Sequence, residues 1–379
     1  MTFIKKAFIF FIIFLILPLS AYPKDKSIAK GVWVTCFSNK KALYSKNSAI
    51  ELVKFCKKNK INEIYLQFYR SGLSYYDTKI NSRKEYEAML KSAGLDPIDA
   101  ILNEARRCGI KVFSWVNVLS AGKSRDTDII KKLGNSVLTL DQYLRSPMRT
   151  EYIDESDKYY LRDEQLFLEP GDPRVGEYIK GIIDEIITRY PGLSGAHLDY
   201  VRYPHPIPYI PRTSFNKYGL TYGYGEENIK RFKEKTGLDP MKMNYNNENS
   251  LIWDDWKREQ VTNLVAMLSS HVKSRYPDKL ISCAVIPSPE SAYSAAFQNW
   301  PMWLEKGIVD YVVTMNYTKN TEYAVQVSKS AIAQRAKGRV YIGIGNFLMK
   351  NDPNALSEQE KAIESLKPDG IAYFSYDFL

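Results

Sequence analysis

The segment Gly195–His205, GAHLDYVRYPH, sets an aspartate, an arginine, two tyrosines and two of the chain's three histidines side by side. Its core reads as a strand, yet a buried parallel strand is ordinarily a run of Val, Ile and Leu. Side chains alternate along a strand, so His197 and Asp199 share one face. A carboxyl group held there can act as nucleophile, proton donor, base or charge stabiliser. Arg202 or His197 beside it would favour the ionised form of Asp199, and Tyr203 falls on the same rim. The structural alternative is an Asp–Arg pair that only ties the rim together.

Cleavage of a glycosidic bond ordinarily uses a second carboxyl group. Glu169, in LFLEPGDPR, ends a strand-like segment; Glu290, in VIPSPES, follows a later strand. The sequence leaves these two level. Glu259, in WDDWKREQ, reads as a structural helix residue.

Other strand ends carry related side chains: Trp33 and Thr35, then Gln67, Tyr69 and Arg70, then Trp115 and Asn117, then Asn316 and Tyr317, and finally Ser375, Tyr376 and Asp377. Trp and Tyr offer flat apolar platforms for sugar faces, while amides hydrogen-bond to hydroxyls. The expected substrate-binding set is therefore Trp33, Gln67, Tyr69, Trp115, Asn117, His197, Arg202, Tyr203, Asn316, Tyr317 and Tyr376.

The elements that must position these residues alternate regularly. Strands are expected at 31–37, 62–70, 111–118, 194–203, 279–287, 309–318, 339–347 and 369–378, and helices at 48–60, 97–108, 172–190, 251–276, 300–306, 322–336 and 357–366. Asp96-Pro97 and Asp172-Pro173 are helix starts with an N-cap and a proline at the first helical position. Alternating βα units imply a parallel sheet, and eight of them close most simply into a (β/α)8 TIM-like barrel. No helix follows the eighth strand in this sequence, so residues 22–30, or a membrane or partner surface, are expected at that seam. An open doubly wound sheet would call for a phosphate-type glycine loop after the first strand, and none is present. Two connections, 119–171 after the third strand and 204–250 after the fourth, are far longer than a barrel needs. Both follow the strand ends where barrel enzymes build their sites. Their tyrosines (143, 152, 159, 160, 209, 218, 222, 224 and 245) suit the walls of a cleft.

Composition narrows the class further. The 379 residues are 45% hydrophobic and 25% charged, as in a globular protein, with 28 Tyr, 16 Phe and 6 Trp. The net charge of +10 is spread without a basic block, so nucleic acid is not an expected partner. Lys5 and Lys6 precede the apolar run 7–17 and the small residues Ser20-Ala21, the layout of a secretory signal. Residues 1–24 are read as an export segment and 25–379 as one barrel domain, in the periplasm, cell envelope or outside the cell. A membrane tether would arise only if that segment stayed uncleaved, and a monomer is expected. Cys36, Cys56, Cys108 and Cys283 show no metal-type spacing and read as small buried hydrophobes. No cofactor and no metal are expected, although His197, Asp199 and His205 are of types that bind zinc.

GVWVT, LEPGDPRVGEYI, GAHLDYVRYP and WDDWKREQVTNLV occur in this order across the mature chain. Together they resemble the bacterial glycosyl-hydrolase-like family of the YngK/DigH type. That resemblance implies an exported TIM-like barrel associated with cell-wall glycan hydrolysis, with Asp199 as the leading catalytic candidate. The expected function is cleavage of O-glycosidic bonds of a polysaccharide such as the glycan strands of peptidoglycan. The alternative is a catalytically inactive carbohydrate-binding barrel of the cell envelope.

Overall fold

The computed structural model describes residues 28–153, 155, 158, 161–206, 220–243 and 247–379. The export segment, residues 22–27 of the expected seam cover, and Tyr159, Tyr160, Tyr209, Tyr218 and Tyr245 lie outside the described residues.

Eight parallel strands form the barrel: β1 Ala29–Val34, β2 Glu63–Arg70, β3 Lys111–Asn117, β4 Gly195–Asp199, β5 Leu280–Val285, β6 Tyr311–Asn316, β7 Arg339–Ile344 and β8 Gly370–Tyr373. Each pairs with the next in sequence, and β8 returns to β1 through Ala29 opposite Gly370 and Val32 opposite Tyr373. The sheet therefore closes, as the alternating βα pattern requires. After β8 comes a short 3-10 turn, Tyr376–Phe378.

The local chemistry of the helices explains their limits. The Asp96 carboxylate accepts from the Ile98 and Asp99 backbone N–H groups, Pro97 opens the helix Pro97–Cys108, and Gly109 closes it at φ +69°. Asp172 caps Pro173–Arg189 in the same way, accepting from the Arg174 N–H at 2.9 Å. That helix buries Ile179, Ile182, Ile183 and Ile186 against the outside of the barrel. The helices Lys46–Lys58 and Pro97–Cys108 carry Cys56 and Cys108; all four cysteines are free, and Cys36, Cys56 and Cys283 are buried.

Among the described residues, four helices are not legible as periodic segments: Lys84–Ala93, Asp128–Leu133, Glu226–Thr236 and Pro289–Ala295. Glu226–Thr236 buries only Asn228 and Phe232, too few apolar positions to show a 3.6-residue rhythm. Its Phe232 joins Tyr224, Trp253 and Trp256 in a small cluster separate from the main core. The connection after β3 is likewise ordered in part, by an antiparallel pairing of Ser120–Gly122 with Leu166–Phe167.

Inside the barrel lies a layer of aromatic rings, Trp33, Tyr65, Phe113, Tyr311 and Tyr341. These rings fit because glycines face them. A β-carbon on Gly31 or Gly370 would sit under 3 Å from the Tyr65 or Tyr341 ring, and one on Gly343 would meet the Thr314 carbonyl at 2.5 Å and the Trp33 indole at 3.2 Å. At the lower end of the layer the buried Glu63 accepts from the hydroxyls of Tyr65 (3.0 Å) and Tyr341 (3.3 Å). Among the described residues, no helix is long and apolar enough to cross a membrane.

Gly343→Ala should therefore lower stability by about 2 kcal/mol through overpacking at Trp33. Urea unfolding followed by tryptophan fluorescence measures this; a change below about 0.5 kcal/mol would mean the interior yields without strain.

Candidate active site

At the C-terminal end of the strands the aromatic layer opens into a cavity of about 190 Å3. Its wall combines Trp33, Trp115, Tyr317 and Phe374 with the polar groups of Thr35, Gln67, Arg70, Asn117, Asp199, Tyr200 and Arg202. Ala284 and Met315 complete it.

Asp199 is the carboxylate of this wall and only 7% exposed. The Trp115 indole N–H donates to its Oδ2 at 3.0 Å, and the Tyr200 backbone N–H donates to Oδ1 at 2.7 Å. Tyr200 adopts φ +55°, a left-handed conformation uncommon outside glycine. That turn folds its N–H back onto the side chain before it. Burial pushes the Asp199 carboxyl above its ordinary range, and the two donors and Arg202 only partly offset the effect.

His197 lies one layer below, fully buried and outside the cavity wall. The Trp33 indole N–H donates to Nε2 at 3.1 Å, which leaves the proton on Nδ1, 2.8 Å from the Ser282 hydroxyl. Burial drives its pKa down to about 3, so the ring is neutral. The expected support of an ionised Asp199 by His197 is thus replaced by a structural role: His197 orients Trp33. His205, beyond the strand, gives its Nδ1 to Asp163 at 2.7 Å, so His197, Asp199 and His205 do not converge on one point.

Arg202 reaches the cavity wall, but its charge is already matched. It makes a bidentate pair with Asp163 at 2.9 and 3.0 Å. Burial alone would raise the Asp163 carboxyl, yet Arg202 and His205 together hold it well below the usual carboxylate range. Asp163 belongs to the long connection after β3, and no motif in the sequence singled it out.

The two candidates for a second carboxyl part company. Glu169 is 1% exposed and does not line the cavity. Tyr203 O–H (2.7 Å) and Gly171 N–H (3.1 Å) donate to Oε1, and Gly225 N–H (3.3 Å) donates to Oε2. Glu169 ties the connection after β3 to the one after β4, and burial raises its carboxyl pKa. Glu290 stands exposed in the first turn of Pro289–Ala295, beyond the end of β5 and likewise outside the wall.

Of the expected substrate-binding residues, Trp33, Gln67, Trp115, Asn117, Arg202 and Tyr317 meet at the cavity. Gln67 donates to Asn117 Oδ1 at 3.4 Å and accepts from the Cys36 N–H at 3.2 Å, which fixes both amides. Tyr69, Tyr203, Asn316 and Tyr376, like His197, do not reach it. Asn316 turns outward and donates to the Ala324 carbonyl and the Ser328 hydroxyl, both at 2.9 Å. Tyr203 is spent on Glu169, and Tyr376 packs against Phe55 under Lys40. Tyr69 misses the cavity because β2 carries an extra residue: Gln67 opposes Trp115 while Tyr69 opposes Val116. That bulge sends Phe68 and Tyr69 both into the outer core and brings Arg70 to the cavity instead. Tyr200, Met315, Ala284 and Phe374 were not singled out as ligand contacts; nothing in their types separates them from core residues.

Residues 28–360 match the family described as glycosyl hydrolase-like 10. The glycosyl hydrolase DigH of Escherichia coli O6:H1 is 23% identical over 319 residues, covering 78% of this chain and 64% of that protein. The glycosyl hydrolase YngK of Bacillus subtilis is 20% identical over 327 residues, covering 79% of this chain and 56% of that protein. The chain thus spans less than two thirds of the length of these curated relatives. Among solved structures, the catalytic domain of a β-amylase from Paenibacillus polymyxa superposes with a TM-score of 0.59 at 12% identity, covering 94% of each chain. A β-galactosidase from Marinomonas ef1 gives 0.59 at 11%, covering 92% of this chain and 54% of that one. At such identities the likeness is one of fold alone, a TIM barrel.

Glu169→Ala should cost about 3 kcal/mol, because it strands a buried hydroxyl and two backbone N–H groups. Thermal and urea unfolding report it. Wild-type stability with lost turnover would instead mark Glu169 as a chemical participant.

Proposed function

Since the chain belongs to the glycosyl hydrolase-like 10 family, we propose that it is an exported glycoside hydrolase acting on a cell-envelope polysaccharide such as the glycan strands of peptidoglycan. The observation that carries this reading is Asp199: a carboxyl at the end of β4, enclosed by tryptophans, with its pKa raised by burial. A carboxyl whose pKa is raised holds its proton to higher pH than an ordinary one, which suits it to protonate the leaving oxygen of a glycoside. The hydrogen bonds from Trp115 and Tyr200 favour the ionised form and only partly offset that burial. Trp33, Trp115, Tyr317 and Phe374 supply apolar surfaces for a sugar ring, and Gln67 and Asn117 supply hydroxyl partners. Export rests on the N-terminal apolar run behind Lys5 and Lys6. The names of the DigH and YngK relatives support hydrolysis of glycosides in general.

In this reading the second carboxyl is Glu290, exposed beyond β5, the strand that pairs with β4. Glu169 is too fully engaged for that role. A second reading, binding without cleavage, is favoured by one observation: among the described residues, Asp199 is the single carboxylate in the cavity wall.

Digestion of intact peptidoglycan, peptide-stripped peptidoglycan and a starch-type α-glucan, read by mass spectrometry, separates the two. Wild type should release new reducing ends from a stripped glycan, and Asp199→Asn should lower the rate by about 10²- to 10⁴-fold. No product from any glycan, with binding kept, would favour the binding protein. Glu290→Gln should lower kcat with little change in KM; an unaltered kcat would remove Glu290 from the chemistry.

The pH profile tests the role of Asp199 directly. A raised pKa keeps the acid protonated further up the pH scale, so kcat/KM should hold through the ordinary carboxylate range and then fall as pH rises. A profile whose only limb is a loss on acidification would assign Asp199 as a nucleophile or base.

A further inference from the structure

Two guanidinium groups face the Asp199 cavity, and they differ in one respect. Arg202 is held and neutralised by Asp163. Arg70 forms no ion pair with any described residue; its guanidinium lies over the Phe37 ring, 4.8 Å from the centroid. An aromatic face orients a cation without cancelling its charge. The β2 bulge at Phe68 is what aims Arg70 inward, one residue later than strict alternation would place an inward side chain.

Arg70 also stands at a junction. It lines both the Asp199 cavity and a second hollow of about 530 Å3, whose wall includes Ser71, Ser74, Lys123, Lys131 and Gln165. Of the lysines there, Lys123 meets Glu164 at 3.6 Å and Lys131 meets Asp126 at 2.7 Å, and Lys84, Glu85 and Asp128 share the same wall. An unmatched positive charge therefore sits where a glycan leaving the Asp199 cavity would lay its next sugar. A guanidinium offers a planar fork of donors that fits a carboxylate.

We propose that Arg70 reads a carboxylate on the substrate, so that the site selects an acidic glycan whose charged sugar lies between the Asp199 cavity and the neighbouring hollow. The proposal rests on the reading of this site as glycan-binding. Two sugars of different class that carry such a group are an amino sugar with an ether-linked lactate and a uronic acid.

The test compares the purified wild type with Arg70→Gln and Arg70→Lys on matched pairs of probes. One pair is peptide-stripped peptidoglycan strands before and after methyl esterification of their lactyl carboxylates; the other is trigalacturonate and its methyl ester. For wild type, esterification of the correct probe should raise KM by about 10- to 100-fold, the range of a hydrogen bond to a charged group. Arg70→Gln should respond equally to acid and ester, and Arg70→Lys should keep part of the discrimination. The pair that shows the effect identifies the sugar. Wild type indifferent to esterification in both pairs, or Arg70→Gln discriminating as wild type does, would overturn the proposal.

Calorimetric titration of muramic acid and trigalacturonate, each against its ester, gives the same comparison without turnover. If no glycan is cleaved but the acid forms bind more tightly through Arg70, the hydrolase reading fails and the role of Arg70 stands. Equal binding of acid and ester sinks the role of Arg70 whatever the hydrolysis result. Unfolding curves of both variants guard against a misfolded protein, and Arg70→Lys keeps the positive charge if Arg70→Gln loses the fold.

Discussion

The site depends on a buried aromatic layer spanning the inside of the barrel. Trp33, Tyr65, Phe113, Tyr311 and Tyr341 fill the interior that small strand residues leave open. Two indole N–H groups buried there need acceptors, since an unpaired buried donor is costly. One finds neutral His197 and the other finds Asp199. The same enclosure that satisfies Trp115 removes water from Asp199 and raises its pKa. Packing, hydrogen bonding and the acidity of the proposed proton donor thus have one physical origin.

Above that layer, charge is divided between architecture and ligand. Asp163 matches Arg202 and receives His205. Glu169 gathers donors from both long connections and joins them over the rim. Lys257, fully buried, is held by Asp254 and Thr221 beneath the second connection. These groups are buried and paired, as buried charges must be. Asp199 and Arg70, both in the wall, are the exceptions: among the described residues neither forms an ion pair. Unmatched groups facing open space are what a ligand can use.

The fold alone would not assign this function, because barrels of this kind carry many chemistries. At 12% identity the β-amylase likeness speaks to strand order and closure. The family match supports the proposed class of reaction. The particular glycan is a question for the cavity wall, where Trp33, Trp115 and Phe374 meet polar groups from several other strand ends. Such a convergence from separate segments is how barrel sites are built.

Periodicity made most of the frame readable before any coordinates. Two-residue and 3.6-residue rhythms located all eight strands and their main helices, and polar residues at strand ends pointed to Asp199, Trp33, Trp115 and Asn117. Such signals are local, so a sequence carries them by itself. Other features are decided only when distant segments meet. Strict alternation places Tyr69 inward, but the single extra residue in β2 exchanges it for Arg70. Asn316 could have faced a ligand, yet the following helix offers it a carbonyl and a hydroxyl. Glu169 reads as a catalytic acid until Tyr203, Gly171 and Gly225 are seen to surround it. Residue type and spacing determine which groups arrive at the rim. Which of them remain without a partner there is settled by tertiary contacts, because a polar group becomes available to a ligand only when the fold has not already used it.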